Sequence, residues 1–349
     1  MKNHGYTYAD RVGAPDEGAS VSAFYALRYP HSSEGTWRER IAAGQVQLNG
    51  RTASADERLA RGDRLSYRRP PWEEPEAPCD FGTLLEDGDV LALDKPSGLP
   101  VLPGGMFLEK TLLYLVRRRF GTACSPVHRL GRGTSGAILF SRNAGAARSL
   151  AAAMRERRVL KVYLALASGT AMPDAFTVAA PIGPVPHRQP AAVNAYRPDG
   201  RPSESRVRVV RRFPEQEATL LEVTIPTGRP HQIRIHLSYA GYPLVGDPLY
   251  LPGGIPRPEA KDGEPAPSLA AVPGIGPAPA ATPGATGYLL HSWRIRFPRP
   301  ATGAEVEVVA PPPPALDPDA RPAFTPWPAR PRPGAGRAGS RRTGRALGS

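Results

Sequence analysis

Two stretches of this 349-residue chain are too rich in proline to fold by burying apolar surface. Residues 251–287 hold nine prolines in 37 positions and residues 311–349 hold ten in 39, and both are poor in aromatic and β-branched residues. The first stretch lies between two strongly patterned segments, residues 243–250 and 288–297, which indicates an insertion within a domain. We therefore expect a disordered insertion at residues 251–287 and a disordered tail rich in proline and arginine at residues 311–349.

A shorter proline-rich break, residues 71–79, separates an N-terminal segment from the rest of the chain. It is stiff and acidic, which is typical of a linker between domains. Before it, a helical pattern over residues 37–43 is followed by alternating strand positions at 46–48 and by an Asn-Gly pair at 49–50, a common hairpin turn. The sequence therefore predicts a small α+β domain at residues 15–70.

The charge of the chain favours nucleic acid as a partner. Lysine and arginine number 45 against 32 acidic residues, the net charge is +13, and 40 of the basic residues are arginine. Guanidinium groups bind phosphate in bidentate fashion and stack on bases, although a GC-rich genome produces the same arginine bias without a functional cause.

The compartment and the metal content follow from what the sequence lacks. The two cysteines, Cys79 and Cys124, have no metal-ligand spacing, which argues against a disulfide framework and a structural zinc site. His231 and His236 are five residues apart, off the one-turn spacing of paired helical ligands. No signal peptide and no run of about 18 apolar residues is present. We expect a cytoplasmic protein with no metal and no membrane partner.

Strands outnumber helices between residues 80 and 310. The helical patterns cover residues 108–120 and 144–157, and the strand patterns cover residues 89–93, 137–140, 161–167, 206–213 and 218–225. The last two strands form a predicted hairpin. Residues 80–310 are therefore expected to be one α+β domain with a mixed, largely antiparallel sheet and flanking helices.

A glycine-rich segment at residues 131–136, GRGTSG, fits the G-x-G-x-x-G fingerprint of dinucleotide-binding proteins. That fingerprint needs an apolar strand before its first glycine and a helix opening at its last. Here residues 126–130 read PVHRL and residues 137–140 read AILF, so a strand pattern stands where the helix should begin. The sequence argues against a nucleotide cofactor.

Six ordered motifs, including that glycine-rich segment, resemble those of the RluA-type RNA pseudouridine synthases, over residues 80–310 without the insertion. The motifs are KPSGLPV at 95–101, HRLGRGTSG at 128–136, KVYLAL at 161–166, PTGRPHQIRIHL at 226–237, VGDPLY at 245–250 and LLHSW at 289–293. The resemblance implies the pseudouridine synthase fold. It also implies an isomerase that flips a uridine out of structured RNA, breaks its glycosidic bond and rejoins the base through C5, without a cofactor.

The N-terminal segment resembles a second family, the S-four-type (αL) RNA-binding domain, over about residues 18–68. The order of helix, strand, Asn-Gly turn and Gly-Asp turn closing on a strand is the same. The alternative is any small α+β cap. The resemblance implies that residues 15–70 bind RNA.

The resemblance to the synthases also implies which residues act. Tyr163 matches the active-site tyrosine that stacks on the base and can move a proton, and Arg234 matches the arginine that pairs with the catalytic carboxylate. Arg129 matches the arginine that enters the RNA where the flipped nucleotide was, although it could also pair with a phosphate. We assign to RNA binding the following motif residues: His128, Arg129, Arg132, Thr134, Arg229 and His231.

One position departs from the family pattern. The family motif reads HRLD, and its aspartate is the defining catalytic residue, whereas this chain has Gly131 there. Asp94 and Asp247 are the other candidate carboxylates, but both lie in motifs that the family uses structurally. Arg234 is then expected to face an unfilled pocket. An aspartate at position 131 should fit, provided that the glycine does not need a positive φ.

Two functions follow from these observations. The first is an RNA pseudouridine synthase that acts on structured rRNA or tRNA, in the cytoplasm and as a monomer, through a site without the usual aspartate. The second is a catalytically silent RNA-binding protein that keeps the synthase fold.

Overall fold

The computed structural model describes residues 2–187, 192–257 and 286–319. The chain divides into two compact units. The first comprises Met1–Glu76 and Pro103–Thr111, and the second comprises Ala77–Leu102 and Leu112–Ser349. The chain therefore enters the first unit twice.

The first unit is a four-stranded antiparallel sheet with two helices. Its elements are β1 (Tyr6–Arg11), α1 (Val21–Arg28), α2 (Glu34–Ala42), β2 (Val46–Leu48), β3 (Arg51–Thr52) and β4 (Arg64–Arg69). The strand order is β1-β4-β2-β3, and Asn49 and Gly50 join β2 to β3 with positive φ angles of 50° and 84°. The first unit begins before residue 15, where the sequence predicted its start. Strand β1 belongs to it, because Tyr6 to Arg11 pair along the whole of β4.

Aromatic side chains fill the core of the first unit. The Trp37 ring stacks on Tyr25 with centroids 4.6 Å apart and meets Tyr67 edge-on at 4.9 Å. Ser20 and Ser33 cap the two helices, each accepting a backbone N–H from the first turn. The helical pattern predicted at residues 37–43 corresponds to the second half of α2, which covers Glu34–Ala42.

Glu74 holds residues 71–76, which are part of the linker expected at residues 71–79, in the first unit. The buried Glu74 carboxylate accepts the backbone N–H groups of Leu108, Glu109 and Lys110 at 2.8–2.9 Å, and the Asn3 amide at 2.9 Å. Burial by itself would raise the pKa of Glu74, but these donors outweigh it and hold the pKa below its ordinary value. An acidic residue among prolines thus anchors residues 103–111.

Replacing Glu74 by glutamine should lower the free energy of unfolding at pH 7 by about 1–3 kcal/mol, because three buried or partly buried backbone N–H groups lose a charged acceptor. A depressed folded-state pKa gives stability that is present above the unfolded-state pKa of about 4.3 and is lost as the pH falls through the folded-state value. The difference between wild type and Glu74→Gln should therefore shrink from pH 7 to pH 3 in urea titrations. Glu76→Gln, whose side chain is 95% exposed, is the matched control. An equal difference at both pH values would contradict this account.

The second unit contains three helices and fourteen strands in its described residues. Its elements are β5 (Gly82–Glu86), β6 (Val90–Lys95), α3 (Leu112–Phe120), β7 (Ser125–Pro126), β8 (Ser135–Ser141), α4 (Ala144–Arg155), β9 (Leu160–Ser168), β10 (Ala175–Val178), β11 (Ile182–Pro186), β12 (Ala192–Tyr196), β13 (Ser205–Phe213), β14 (Ala218–Thr224), α5 (Gln232–Tyr239), β15 (Tyr250–Leu251), β16 (Ile255–Pro256), β17 (Leu290–Pro298) and β18 (Glu305–Val309).

One ten-stranded sheet organises this unit. Its order is β10-β13-β14-β9-β17-β8-β6-β5, with β18 beside β17 and β7 beside β8. Among these strands only β17 and β8 pair in parallel. The predicted α+β class with a largely antiparallel sheet is confirmed, as is the hairpin of β13 and β14. The main hydrophobic core cluster includes side chains of β8, β9 and β14, among them Ile138, Tyr163 and Leu221.

Three predicted boundaries in the second unit were also wrong. The helix expected from residue 108 begins at Leu112, because the N–H groups of Leu112 and Leu113, which would close a first turn from residue 108, donate to the carbonyls of Pro100 and Val101 instead. The expected insertion begins later than residue 251, since β15 and β16 form a hairpin, and residues 258–285 lie outside the described residues. The expected tail begins later than residue 311, since Leu316 is buried in a core cluster, and residues 320–349 also lie outside the described part.

In the portion of the chain that the structure describes, each helix is too short or too polar to cross a membrane.

Candidate active site

The HRLGRGTSG segment is held in place by the loop that follows β6. The buried Lys95 ammonium donates to the carbonyls of Pro96, Leu99 and Arg132 at 2.8, 2.7 and 3.2 Å. The Gly98 N–H also donates to the Arg132 carbonyl, at 2.8 Å. The backbone around Gly131 is therefore fixed by a neighbouring motif.

The glycines at 131 and 133 allow one aromatic ring to approach. Neither has a positive φ, but a Cβ atom on Gly131 would lie 2.7 Å from the Tyr288 hydroxyl oxygen, and one on Gly133 would lie 2.9 Å from the Tyr288 ring. Tyr288 is only 3% exposed. Gly131 therefore reflects close packing, and the expectation that an aspartate fits there was wrong because the tyrosine occupies the space.

Arg234, on α5, is fixed by a buried ion pair. Its Nε and Nη2 donate to Oδ2 and Oδ1 of Asp247, both at 2.7 Å, and the exposed fractions of the two side chains are 2% and 1%. The backbone N–H groups of Leu249 and Tyr250 also donate to Asp247 Oδ1. Burial by itself would lower the pKa of Arg234, but Asp247 raises it above its ordinary value. Arg234 therefore has a buried counter-charge although position 131 carries no carboxylate, and it also lines a small cavity.

The three residues predicted to be catalytic line one small cavity of about 80 Å³. Gly131, Tyr163 and Arg234 meet there from a loop, from β9 and from α5. Thr134 and Tyr288 complete the polar wall, with 3.2 Å between their side-chain oxygens. The described lining contains no carboxylate, since Asp247 lies behind Arg234 and does not line the cavity.

The small cavity adjoins a larger cleft of about 1050 Å³, and Arg129, Arg229 and His231 line both. Arg197 and Arg201, around the turn after β12, also line the cleft, together with one acidic residue, Asp199. Arg197 pairs with Asp199 at 2.8 Å. The cleft is therefore positively charged overall, which suits a polyanion.

Two ring systems in the cavity are neutral at pH 7. Burial raises the pKa of Tyr163 to about 12, only partly offset by a hydrogen bond with Ser292. Burial and the charge of Arg234 lower the pKa of His231 to about 3. Because the Tyr250 hydroxyl donates to the Asn194 carbonyl at 2.6 Å, His231 Nδ1 donates to the Tyr250 oxygen at 2.8 Å. Nε2 of His231 is then a hydrogen-bond acceptor, and the neutral ring offers no positive charge to a phosphate.

Two residues assigned to RNA binding lie outside both cavities. His128 Nε2 accepts the Leu139 backbone N–H at 3.2 Å, and burial with the nearby Lys161 lowers the His128 pKa to about 3. Arg132 donates from Nε to the Gly98 carbonyl at 3.2 Å. Both side chains make contacts within the protein, and their assignment to RNA binding stays a prediction. Thr134, Arg129, Arg229 and His231 do line the small cavity.

One site residue was missed from the sequence, and the partner of another was not foreseen. Asp247 was read as structural, and nothing local shows that a turn aspartate will meet Arg234 thirteen residues earlier. Tyr288 was missed, since glycines at 131 and 133 indicate only that some group can approach the backbone closely and do not say which group it is. The strand predicted after the glycine-rich segment is present, since β8 covers Ser135–Ser141.

No metal centre is formed by the described part of the chain. Within residues 2–187, 192–257 and 286–319, no three His, Cys, Asp or Glu side chains come close enough to hold an ion.

Comparison with known proteins shows that the fold is that of a class of RNA-modifying isomerases. A family model described as RNA pseudouridylate synthase matches residues 89–239. A Synechocystis protein named an uncharacterized RNA pseudouridine synthase is 40% identical, over 84% of this chain and 94% of the relative. The ribosomal large subunit pseudouridine synthase C of Vibrio vulnificus is 33% identical, over 78% and 82%.

A solved structure is also similar. Human RNA pseudouridylate synthase domain containing 1 is 25% identical, with a TM-score of 0.50, over 70% of this chain and 89% of that chain. The chain belongs to the RNA pseudouridine synthase family, a family of isomerases.

Proposed function

We propose that this chain converts uridine to pseudouridine in structured RNA through a site that lacks the usual aspartate. The observation that carries the proposal is the set of side chains around Gly131. Tyr163 and Arg234 line one small cavity, and Arg129 and Arg229 stand where that cavity opens into a basic cleft. A ribosomal RNA synthase among the relatives favours rRNA as the substrate class, and tRNA is the alternative.

The geometry suits a flipped nucleotide. An extruded base needs a pocket with one polar edge and a flat apolar wall, and Tyr163 with Leu130 and Leu290 supplies the wall. Arg129 is exposed and makes no ion pair among the described residues, so it is free to enter the RNA or to bind a phosphate. Arg234 places a fixed positive charge beside the uracil carbonyls.

The first unit supplies a second basic surface in this proposal, as its resemblance to the S-four-type domain implies. Arg61, Arg64 and Arg68 are exposed, and among the described residues they take part in none of the ion pairs of that unit. Each phosphate contact that they make adds about 0.7–0.9 to the slope of log affinity against log salt. A cytoplasmic location and a monomeric state remain predictions.

A catalytically silent RNA-binding protein is the second candidate. The observation that favours it is the cavity lining, which contains no carboxylate.

The test is tritium release from rRNA and tRNA transcripts that carry tritium at uracil C5, with pseudouridine located by sequencing. We expect wild type to release tritium from at least one site. Tyr163→Phe should lower the rate by about 100-fold or more, because the hydroxyl that moves a proton is lost.

Tyr242→Phe is the matched control, because its ring packs on Phe176 with centroids 6.0 Å apart and lines neither cavity. It should keep the wild-type rate. If wild type binds these RNAs but releases no tritium from any of them, the silent candidate replaces this proposal.

A further inference from the structure

Among the described residues that line the small cavity, Tyr288 has a reactive side chain that matches none of the family's active-site residues. It follows Gly287 directly and precedes β17, outside the LLHSW motif. Its ring lies across Gly131 and Gly133, and its hydroxyl oxygen lies 2.7 Å from the place of a Cβ on Gly131. The oxygen thus stands where a side chain of residue 131 would begin.

The surroundings of Tyr288 suit an oxygen that becomes negatively charged during a reaction. The guanidinium carbon of Arg234 lies over the Tyr288 ring, 4.2 Å from its centroid, and a positive charge at that distance stabilises a phenolate. The Thr134 hydroxyl is 3.2 Å from the Tyr288 oxygen and can donate to it. Asp247 holds the guanidinium in place, so little reorganisation is needed when charge develops.

We propose that Tyr288 is a catalytic residue that replaces the missing aspartate as the nucleophile toward the ribose. This inference rests on the proposed function. Tyrosine nucleophiles toward anomeric carbons are known chemistry in other glycosyl-transferring sites. The pairing of Gly131 with Tyr288 then has a chemical purpose, since the glycine makes room for the oxygen that takes over the carboxylate's place.

The first step breaks the glycosidic bond. The Tyr288 oxygen forms a bond to C1′ as the bond between C1′ and N1 breaks, and the electron pair of that bond stays on the uracil. The phenolic proton passes through the Thr134 hydroxyl to N1 of the uracil. The products are neutral uracil, held in the cavity, and a ribose bound to Tyr288 through oxygen.

The second step forms the new bond after the uracil turns. C5 attacks C1′, and the bond between C1′ and the Tyr288 oxygen breaks with its electron pair on the phenolate. The proton on C5 passes to the Tyr163 hydroxyl, which gives its own proton to the Tyr288 phenolate. The product carries hydrogen on N1 and none on the reacting C5, both tyrosines are restored, and the tritium exchanges into water.

The test compares Tyr288→Phe with wild type in the tritium assay. The ring and its contact with Arg234 remain, so we expect wild-type RNA affinity within about twofold and an unchanged melting temperature, with a rate lower by about 100-fold or more. In the Tyr163→Phe variant the second step is slowed, so the ribose–Tyr288 adduct should accumulate. Acid quenching, nuclease and protease digestion, and mass spectrometry should find it on the peptide that contains residue 288.

The outcomes separate this inference from the proposed function. If wild type is active and Tyr288→Phe loses less than about 100-fold, or if no adduct forms on residue 288, Tyr288 is not the nucleophile and the proposed function stands. If wild type makes no pseudouridine in any RNA that it binds, the proposed function and the nucleophile both fail. Tyr242→Phe, with wild-type rate and no adduct change, is the control.

Discussion

Asp247→Asn should lower the free energy of unfolding by about 3–5 kcal/mol, because it leaves the Arg234 guanidinium buried without a counter-charge. The two side chains share a bidentate pair with both distances at 2.7 Å, and only 2% and 1% of their side-chain surfaces are exposed. The loss should appear in urea unfolding at pH 7, with activity lost in parallel because Arg234 loses its fixed position.

A surface pair provides the control for this prediction. Arg208 and Glu222 pair at 3.1 Å, but the Arg208 side chain is 62% exposed, so Arg208→Met should cost less than about 1 kcal/mol. Replacing both buried partners, as Arg234→Met with Asp247→Leu, should cost less than Asp247→Asn alone because no unpaired charge remains. A loss below about 1 kcal/mol for Asp247→Asn would mean that water or another group reaches Arg234.

Gly131→Asp should destabilise the protein and should not increase its activity. The added Cβ would lie 2.7 Å from the Tyr288 oxygen, and Tyr288 cannot move freely because its ring packs against Gly133 and Arg234. Overpacking of this kind costs about 1–3 kcal/mol. The new carboxylate also enters a cavity whose arginine already has Asp247 as its partner, so no second counter-charge is available.

A double-mutant cycle identifies the clash as the cause. Gly131→Ala should be destabilising in wild type and at least about 1 kcal/mol less so in Tyr288→Phe, which lacks the oxygen that the Cβ meets. Gly88→Asp is the control for Gly131→Asp, because a Cβ there meets nothing within 4 Å and φ is not positive. Equal costs in both backgrounds, or a gain of isomerase activity in Gly131→Asp, would show that Tyr288 does not fill the place of a side chain at 131.

Much of the sheet could be predicted from the sequence because its strands are either nearly continuous apolar runs, as in β9 and β14, or alternate apolar residues with arginines, as in β13. The order of the motifs also predicted that Gly131, Tyr163 and Arg234 share one site. Strand β1 has no such signal, since its residues alternate between exposed and half-buried positions. Contacts made by single polar groups could not be predicted from the sequence either, because the folded geometry and not the local pattern decides the partners of Glu74 and Asp247.

The same limit applies to the chemistry at position 131. A motif predicts which backbone positions come together, but it does not say which side chain fills the space between them. The motif alone indicates that Gly131 lacks the catalytic side chain, whereas the structure shows that the hydroxyl of Tyr288 lies against the same backbone position.

The double entry of the chain into the first unit limits how such a protein can gain or lose its N-terminal module. Residues 103–111 lie in sequence within the part that forms the second unit, yet their amide groups are satisfied by Glu74. A gene that loses the first 76 codons would leave the amide groups of Leu108, Glu109 and Lys110 without that acceptor. Shuffling by simple end-to-end fusion is therefore unfavourable, and the loop and the module are expected to be inherited together.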